Sequence, residues 1–349
     1  MREEDEKWMR LALAEAEKGW GYCAPNPMVG AVIVRNGEVL GAGYHHRAGE
    51  AHAEINALHS LPPGAALAEA TMYVTLEPCS TWGRTPPCCD AVASSGVKRV
   101  VIGSLDDNPR HCGAAVERLR AAGIEVEYGV LEAECRQLNE HFFWWITHRQ
   151  PWVILKMGMS LDGKIALPDG SSRWITGENA RSEVQKLRRL AQMIMVGGRT
   201  ARTDDPSLKV REPADWPHQP RPAVWSSRPL PAGLKISAEA LVAKPGTPAQ
   251  WQEFLRRRAD EGVQVLLLEG GGELAANALA CGIVNKVCFY VAPMLIGGRD
   301  SAPALGGAAP CSLEAACRLR HVSVEWVGGD LRYTGYPVIP APDEPQSAG

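Results

Sequence analysis

The residues with the clearest chemistry in this chain are one histidine, one glutamate and two cysteines. They are His52, Glu54, Cys79 and Cys88, and the first two belong to a His-Ala-Glu triplet. One imidazole and two thiolates can hold Zn²⁺ at three of its four tetrahedral positions and leave the fourth for water. Zinc lowers the pKa of that water toward neutrality, which predicts hydroxide attack on an amidine-like ring carbon. Glu54 is suited to carry the proton to the leaving amine.

A structural zinc site is the alternative interpretation of the same residues. Such a site prefers four protein ligands, and Cys89 is available as the fourth. Cys89 adjoins Cys88, however, and adjacent residues rarely converge on one metal. His-x-Glu followed by Pro-Cys and a second cysteine is typical of zinc deaminases, so we predict a catalytic metal site.

Eight residues, 80–87, separate the two cysteines and are expected to form part of the pocket wall. Arg84 within this insertion offers a cation with a forked donor set, which suits a phosphate or a carbonyl-bearing ring. An ordinary solvated loop charge is the alternative for Arg84.

The elements around these residues alternate between helices and strands, which predicts an α/β layered sheet. An apolar run over 28–34 followed by Asn36-Gly37 predicts a β-hairpin. A helix is expected over 51–59, opening with His52, and a strand over 72–76 leads to a strand-to-helix turn at Pro78-Cys79.

The segment from His148 to Pro151 interrupts this pattern, and we place a domain boundary there. The predicted domains span residues 1–147 and 151–338, and 339–349 is expected to be a disordered tail. The Pro-rich stretch 213–250 is expected to be loop.

Composition narrows the function classes further. The chain has 349 residues, with 37 basic and 40 acidic side chains and a net charge of −3. Neither a basic cluster for nucleic acid nor an apolar run of membrane-spanning length is present. The N-terminus lacks the order of a signal peptide, and ten cysteines are too sparse for a disulfide scaffold. We therefore expect a cytoplasmic protein that binds neither nucleic acid nor membrane.

The first half of the chain resembles a known family in several motifs. They are Pro25-Asn-Pro-Met-Val-Gly-Ala-Val-Ile-Val34, Gly43-Tyr-His-His46, His52-Ala-Glu54, Leu76-Glu-Pro-Cys-Ser80 and Gly83-Arg-Thr-Pro-Pro-Cys88. This series resembles the bifunctional riboflavin-biosynthesis deaminase/reductases. The resemblance implies a cytidine-deaminase-like three-layer domain that removes the 2-amino group of a 2,5-diamino-6-(phosphoribosylamino)pyrimidinone. It also implies that Asn26 helps bind the pyrimidine and that the 80–87 insertion closes over it. Thr81 stands where the family usually has histidine.

The second half resembles the reductase domain of the same family, which has a fold like that of dihydrofolate reductase. The motifs are Lys156-Met-Gly-Met-Ser-Leu-Asp-Gly-Lys164, Gly170-Ser-Ser-Arg-Trp-Ile-Thr176, Asp204-Asp-Pro206 and Leu266-Leu-Leu-Glu-Gly-Gly-Gly-Glu-Leu274. The resemblance implies hydride transfer from NADPH that turns the ribosylamino group into a ribitylamino group. Implied cofactor contacts are Gly158, Trp174, Thr200, Asp204, Ser226 and Gly271. Implied contacts to the phosphorylated substrate are Lys156, Ser172, Arg188, Leu208, Arg211 and Glu269.

Departures from the family pattern leave a second possibility for this half. Trp225 replaces a common aspartate before Ser226, and Asn285-Lys286 replaces an acidic pair. An active deaminase with a degraded, non-catalytic reductase domain is therefore the alternative. An RNA-acting deaminase or RNA-binding module is a third, which the net charge disfavours. The resemblance also suggests a homo-oligomer.

Overall fold

The computed structural model describes residues 2–83, 86–108, 111–236 and 239–338. The chain divides into two compact units, Met1–Arg149 and Gln150–Gly349. The predicted tail at 339–349 lies outside the described residues.

The first unit is a mixed five-stranded sheet between two layers of helices. The strands have the order β2-β1-β3-β4-β5; β1 is antiparallel to both neighbours, and β3, β4 and β5 are parallel. The elements are α1 (Arg2–Glu17), β1 (Gly30–Arg35), β2 (Glu38–Tyr44), α2 (Ala53–His59), β3 (Thr71–Leu76), α3 (Cys88–Ser94), β4 (Arg99–Ser104), α4 (Ala114–Ala121), β5 (Glu125–Tyr128), α5 (Glu132–Leu138) and α6 (Glu140–His148).

Side-chain alternation along the strands divides the core of this unit into two halves. Met72 and Val74 of β3 pack into the cluster that contains the apolar residues of α2, α3 and α4. Tyr73, between them, points to the cluster formed with α1 and α5. Successive strand residues point to opposite faces, so a strand covered on both sides needs apolar residues at every position. The run of Val100, Val101 and Ile102 meets that need in β4.

The second unit is built on an eight-stranded sheet with the order β10-β9-β8-β11-β6-β12-β15-β14. Six neighbouring strands are parallel, namely β10, β9, β8, β11, β6 and β12. The antiparallel β14–β15 hairpin follows, with β15 antiparallel to β12. The elements are β6 (Trp152–Ser160), β7 (Lys164–Ala166), α7 (Glu178–Leu190), β8 (Met193–Gly197), α8 (Gly198–Asp204), β9 (Arg221–Trp225), β10 (Leu241–Ala243), α9 (Pro248–Asp260), β11 (Val265–Glu269), α10 (Gly272–Ala280), β12 (Lys286–Ala292), β13 (Ala302–Pro303), β14 (Arg318–Val327) and β15 (Asp330–Val338).

The α/β class predicted from the sequence is confirmed, and so is the first hairpin. Asn36 and Gly37 both have positive φ, 53° and 78°, as a tight hairpin turn with right-handed strand twist requires.

The prediction of loop throughout 213–250 is wrong. This stretch contains β9 and β10 and the start of α9. Pro222 lies inside β9, where it pairs in register with Ile194 of β8. Tertiary pairing on both sides of β9 outweighs the local proline signal, which is why composition alone misled.

Candidate active sites

The three predicted zinc ligands converge, each from a different element. His52 is the residue before α2, Cys79 lies in the loop after β3, and Cys88 is the first residue of α3. The strand-to-helix turn was expected at Pro78-Cys79, but the helix begins only at Cys88, so the insertion forms a loop between the two thiols. The helix predicted over 51–59 begins at Ala53, which leaves His52 as its cap.

Their spacing suits one zinc ion. Nδ1 of His52 lies 3.6 Å from Sγ of Cys79 and 3.3 Å from Sγ of Cys88. The three ligand atoms all lie within 4.8 Å of one another. Ligands at roughly 2.0–2.3 Å from a shared tetrahedral ion are separated by distances of this size. One imidazole and two thiolates therefore fit Zn²⁺ and leave a position for water.

The charge state of the two thiols also favours a cation. Hydrogen bonds from the Cys88 thiol and from His52 lower the pKa of Cys79 to about 4, although burial opposes this. The same interaction with Cys79, together with burial, raises the pKa of Cys88. A thiolate thus forms readily at this site, and its charge opposes formation of the second. A divalent cation between them would remove that opposition.

Glu54 is the second residue of α2 and is 3% exposed. Burial raises the pKa of its carboxyl to about 7, although His52 opposes this. A carboxyl with a pKa near neutrality can both accept and release a proton at physiological pH, as a general acid–base residue must.

These residues border a cavity of about 390 Å³. Asn26, His52, Glu54 and Cys79 line it, whereas Cys88 is buried and does not. Thr81 and Gly83 of the insertion also reach the cavity, and Phe142 and Trp145 of α6 add aromatic surface. Arg84 lies outside the described residues.

The hydrogen bonds of His45 fix the orientation of Asn26. Nδ1 of His45 lies 3.1 Å from the carbonyl oxygen of Ala51, which can only accept, so Nδ1 carries the proton. Burial lowers the pKa of His45, which keeps the ring neutral and makes Nε2 an acceptor. Nε2 then receives the side-chain N–H of Asn26 across 3.0 Å. The Oδ1 atom of Asn26 is left as an acceptor beside the cavity.

Sequence reasoning missed a second loop that lines this cavity, through Asp106, Asn108 and His111. The buried Glu77 holds the loop, because its carboxylate accepts the backbone N–H groups of Asp106 at 3.2 Å, Gly113 at 2.9 Å and Ala115 at 3.0 Å. Glu77 lay within a recognised motif and could have been found there. An isolated histidine such as His111 carries no sequence signal.

The second unit contains a larger cavity, of about 1000 Å³, at the carboxyl ends of its parallel strands. All twelve residues predicted for the cofactor and the phosphorylated substrate of the reductase line it: Lys156, Gly158, Ser172, Trp174, Arg188, Thr200, Asp204, Leu208, Arg211, Ser226, Glu269 and Gly271. Ligand sites in open α/β sheets lie at this edge.

A buried charge cluster forms one wall of that cavity. Arg188 donates two hydrogen bonds to Glu269, at 2.8 and 2.7 Å, and one to the carbonyl oxygen of Lys209 at 2.9 Å. Lys156 is the strand partner of Glu269, and burial lowers the pKa of its amine. Burial would raise the pKa of Glu269, but Arg188 and then Lys156 hold it below its usual value. The Glu269 carboxylate thus anchors Arg188 beside the cavity and lies close to a second cation, Lys156.

Glycines and small side chains form another wall. Gly271, with φ of 94°, precedes α10, and a side chain there would come within 3.4 Å of the backbone of Gly197. Thr200 lies next to this contact. Backbone can therefore approach a ligand closely at the N-terminal end of α10.

Arg202 and Arg181 also line this cavity, although neither was predicted as a site residue. Arg202 donates to Oγ of Ser226 at 3.2 Å and to the Pro229 carbonyl at 3.2 Å, which holds the loop after β9. Arg181 lies over the exposed Trp174 ring at 4.5 Å from its centre. Arg202 lies two residues from both Thr200 and Asp204, so its place in the sequence could have indicated it.

Comparison with known proteins identifies the families of both domains. Residues 2–104 match the cytidine and deoxycytidylate deaminase zinc-binding region, and residues 151–333 match the RibD C-terminal domain. A riboflavin biosynthesis protein RibD from Actinobacillus pleuropneumoniae is 40% identical over 357 residues, which cover 94% of each chain. This chain belongs to the RibD family.

Solved structures of the family have the same fold. Acinetobacter baumannii RibD (form 1) superposes with a TM-score of 0.84 at 32% identity, covering 97% of this chain and 100% of the other. A Thermotoga maritima protein named as a diaminohydroxyphosphoribosylaminopyrimidine deaminase/5-amino-6-(5-phosphoribosylamino)uracil reductase gives 0.85 at 31%, covering 97% and 99%. The cytidine-deaminase-like and dihydrofolate-reductase-like folds expected from the sequence are confirmed.

Family membership makes the chain a bifunctional enzyme of riboflavin biosynthesis, with a zinc-binding deaminase domain and a reductase domain that uses NADPH. The alternative of a degraded reductase is not favoured. Trp225, which motivated it, lines the cavity and donates through Nε1 to the Pro245 carbonyl at 2.8 Å. Among the described residues, no helix has both the length and the apolar character needed to cross a membrane.

Proposed function

We propose that residues 1–147 deaminate 2,5-diamino-6-(5-phosphoribosylamino)pyrimidin-4-one and that residues 151–338 then reduce its ribosylamino group to ribitylamino with NADPH. The observation that carries the first step is the convergence of His52, Cys79 and Cys88 beside the buried Glu54, at a cavity of small-molecule size. The Thermotoga maritima relative is named for the same two activities.

For the deaminase step, His52, Cys79 and Cys88 would hold the zinc ion. Bound zinc supplies a Lewis acid that lowers the pKa of water toward neutrality. Glu54 is placed to accept a proton and to release it to the departing amine, which its pKa of about 7 allows. Asn26 accepts a hydrogen bond from the pyrimidine through Oδ1, and Arg84 contacts the substrate from the insertion.

In the reductase step, the protein contributes position and charge. The nicotinamide cofactor would be held by Gly158, Trp174, Thr200, Asp204, Ser226 and Gly271. Lys156, Ser172, Arg188, Leu208, Arg211 and Glu269 hold the substrate. The cations of this second group outnumber its one carboxylate, which favours a phosphorylated ligand. Hydride transfer needs the donor and acceptor carbons in alignment more than it needs an acid–base pair, so no single residue of this cavity is assigned as the catalytic group.

The environment that we propose follows from composition. With a net charge of −3 and cysteines that all remain free thiols in the structure, the chain suits a cytoplasmic enzyme that binds neither nucleic acid nor membrane. We also propose that the protein forms a homo-oligomer, as the family resemblance suggests.

Zinc content, ammonia release and NADPH oxidation, measured on the same purified protein, test both steps. We expect Cys88→Ser to lose zinc and ammonia release together, and Glu54→Gln to keep zinc while ammonia release falls by about 10²- to 10⁴-fold. The exposed Cys311 provides a matched control, and Cys311→Ser is expected to behave as wild type.

The reductase is tested by supplying the deaminated intermediate directly. Oxidation of NADPH by Glu54→Gln at the wild-type rate supports two separate sites. Zinc-loaded wild-type protein that releases no ammonia would exclude the deaminase, and intermediate that leaves NADPH unchanged would exclude the reductase.

A further inference from the structure

His111 is a residue of the deaminase cavity that the family motifs do not include. It lines the same cavity as Asn26 and Glu54. Its backbone is held on both sides, because its N–H donates to the Asn108 carbonyl at 2.8 Å and the N–H of Gly113 donates to Glu77 at 2.9 Å. The backbone at His111 is therefore held at a defined position in the wall.

The hydrogen bonds of Ser80 fix which nitrogen of the His111 ring carries the proton. The backbone N–H of Ser80 points to Nδ1 of His111 at 3.3 Å, and the hydroxyl of the same residue lies 3.2 Å from Nδ1. A hydroxyl can donate or accept, but an amide N–H can only donate, so Nδ1 is the acceptor. The neutral ring must then carry its proton on Nε2.

Nδ1 of the His111 ring thus accepts a hydrogen bond from Ser80, and Nε2–H is a donor. Across the described part of the chain, the hydrogen bonds of the His111 ring all run through Nδ1. Asn26, by contrast, presents an acceptor to the same cavity because of its bond to His45. The cavity therefore offers one hydrogen-bond donor and one acceptor. A pyrimidinone has the matching groups, amino donors and a carbonyl acceptor.

We infer that His111 is a substrate-binding residue of the deaminase, and that its Nε2–H donates to an acceptor oxygen of the substrate. This inference rests on the proposed deaminase function. The oxygen belongs either to the ring carbonyl or to the phosphate, since both accept a hydrogen bond from a neutral imidazole. Ser80 immediately follows the zinc ligand Cys79, so one short segment positions both the metal and this donor.

Two isosteric substitutions separate a binding role from a structural one. In His111→Asn, the amide oxygen can replace Nδ1 as the acceptor for Ser80, but the donor to the cavity is lost. In His111→Gln, the amide N–H can reach the position of Nε2, but the acceptor for Ser80 is lost. We expect KM for deamination to rise by about 10-fold in His111→Asn and to stay near the wild-type value in His111→Gln. A purely structural role would give the reverse order.

Two further measurements control for misfolding and identify which substrate oxygen accepts the hydrogen bond. The exposed His59 gives the matched control, and His59→Asn should leave KM, zinc content and thermal unfolding unchanged. With a dephosphorylated substrate, the penalty in His111→Asn disappears if the phosphate is the acceptor and persists if the carbonyl is.

Several results would overturn the inference. A wild-type KM in His111→Asn would do so, and so would loss of zinc or of folding in His111→Asn with an intact His111→Gln. In both cases wild-type protein still releases ammonia, which leaves the proposed function standing. Absence of ammonia release from zinc-loaded wild type is the separate failure of that function.

Discussion

The side-chain amide of Asn26 donates to Nε2 of His45 across 3.0 Å, and this bond determines which end of Asn26 faces the deaminase cavity. The Ala51 carbonyl accepts the proton on Nδ1 of His45, which makes Nε2 of the neutral ring an acceptor. Because Nε2 accepts the N–H of Asn26, Oδ1 of Asn26 is the end that faces the cavity. His45 itself is 2% exposed. It lies beside the same cavity as Asn26, and its bond to the Asn26 amide gives it a positioning role.

Replacing His45 should weaken deamination without removing zinc. In His45→Phe the Asn26 amide loses its acceptor and can rotate, so we expect kcat/KM for ammonia release to fall by about 10- to 100-fold, which corresponds to roughly 1.4–2.8 kcal/mol. His45→Gln can offer an oxygen near Nε2 and should recover part of the loss. Zinc content, measured on each variant, should match wild type. Equal losses in both variants would contradict the positioning role.

Breaking the buried pair between Glu269 and Arg188 should impair the second domain in two ways. Glu269→Gln leaves the Arg188 guanidinium, whose side chain is only 12% exposed, without its counter-charge. Loss of one partner from a buried pair costs about 3–5 kcal/mol of stability. NADPH oxidation should fall as well, because Glu269 anchors Arg188 at the cavity.

A surface pair supplies the comparison for this variant. Glu253 and Arg257 pair one turn apart on α9 with more than half of each side chain exposed. Glu253→Gln should change the free energy of unfolding by less than about 0.5 kcal/mol. Chemical denaturation of both variants, followed with NADPH oxidation, checks the contrast; similar losses in the two would refute it.

Adding one methyl group at Gly271 should weaken cofactor binding. The positive φ of 94° strains any side chain there, and the new carbon would lie 3.4 Å from the Gly197 backbone. We expect Gly271→Ala to raise KM for NADPH by about 10-fold and to cost roughly 1–3 kcal/mol of stability. Gly262 has φ of 82° but no neighbour within 4 Å. Gly262→Ala should therefore show strain with an unchanged KM for NADPH, and a raised KM there would disprove the close-approach argument.

The sequence predicts most of what is local in this protein. Asn36-Gly37 predicts its hairpin because the required φ values belong to those residue types. His52, Cys79 and Cys88 predict a converging set because zinc imposes both ligand chemistry and spacing. Such features need only the residues themselves and the chemistry they perform.

What the sequence does not predict depends on partners distant along the chain. Strand β9 forms because β8 and β10 pair with it, whereas its proline favours a loop when the sequence is considered alone. Glu77 supports a loop about thirty residues later through backbone N–H groups, which every sequence has. His111 enters the cavity only because that loop is held there. Contacts of this kind become visible when the fold is known.

Acid should remove the contribution of one buried carboxylate in the first domain. Asp5 of α1 accepts two hydrogen bonds from Arg99, at 2.7 and 3.1 Å, and one from the hydroxyl of Tyr73 at 2.8 Å. Burial alone would raise the pKa of Asp5, but the hydrogen bonds from Arg99 and Tyr73 outweigh it and hold the pKa below its usual value. The ionised carboxylate thus ties α1 to β3 and β4.

A depressed pKa in the folded state means that this stabilisation is complete above the unfolded pKa, about 3.9, and is lost as the pH falls through the folded value. We expect Asp5→Asn to lower the free energy of unfolding by about 1–3 kcal/mol at pH 7. The difference from wild type should shrink below pH 4, because the unfolded Asp5 is then protonated first and the folded one follows at its lower pKa. Denaturation curves for both proteins between pH 7 and 3 measure this convergence. A difference that stays constant with pH would show that the charge of Asp5 is not what holds α1 in place.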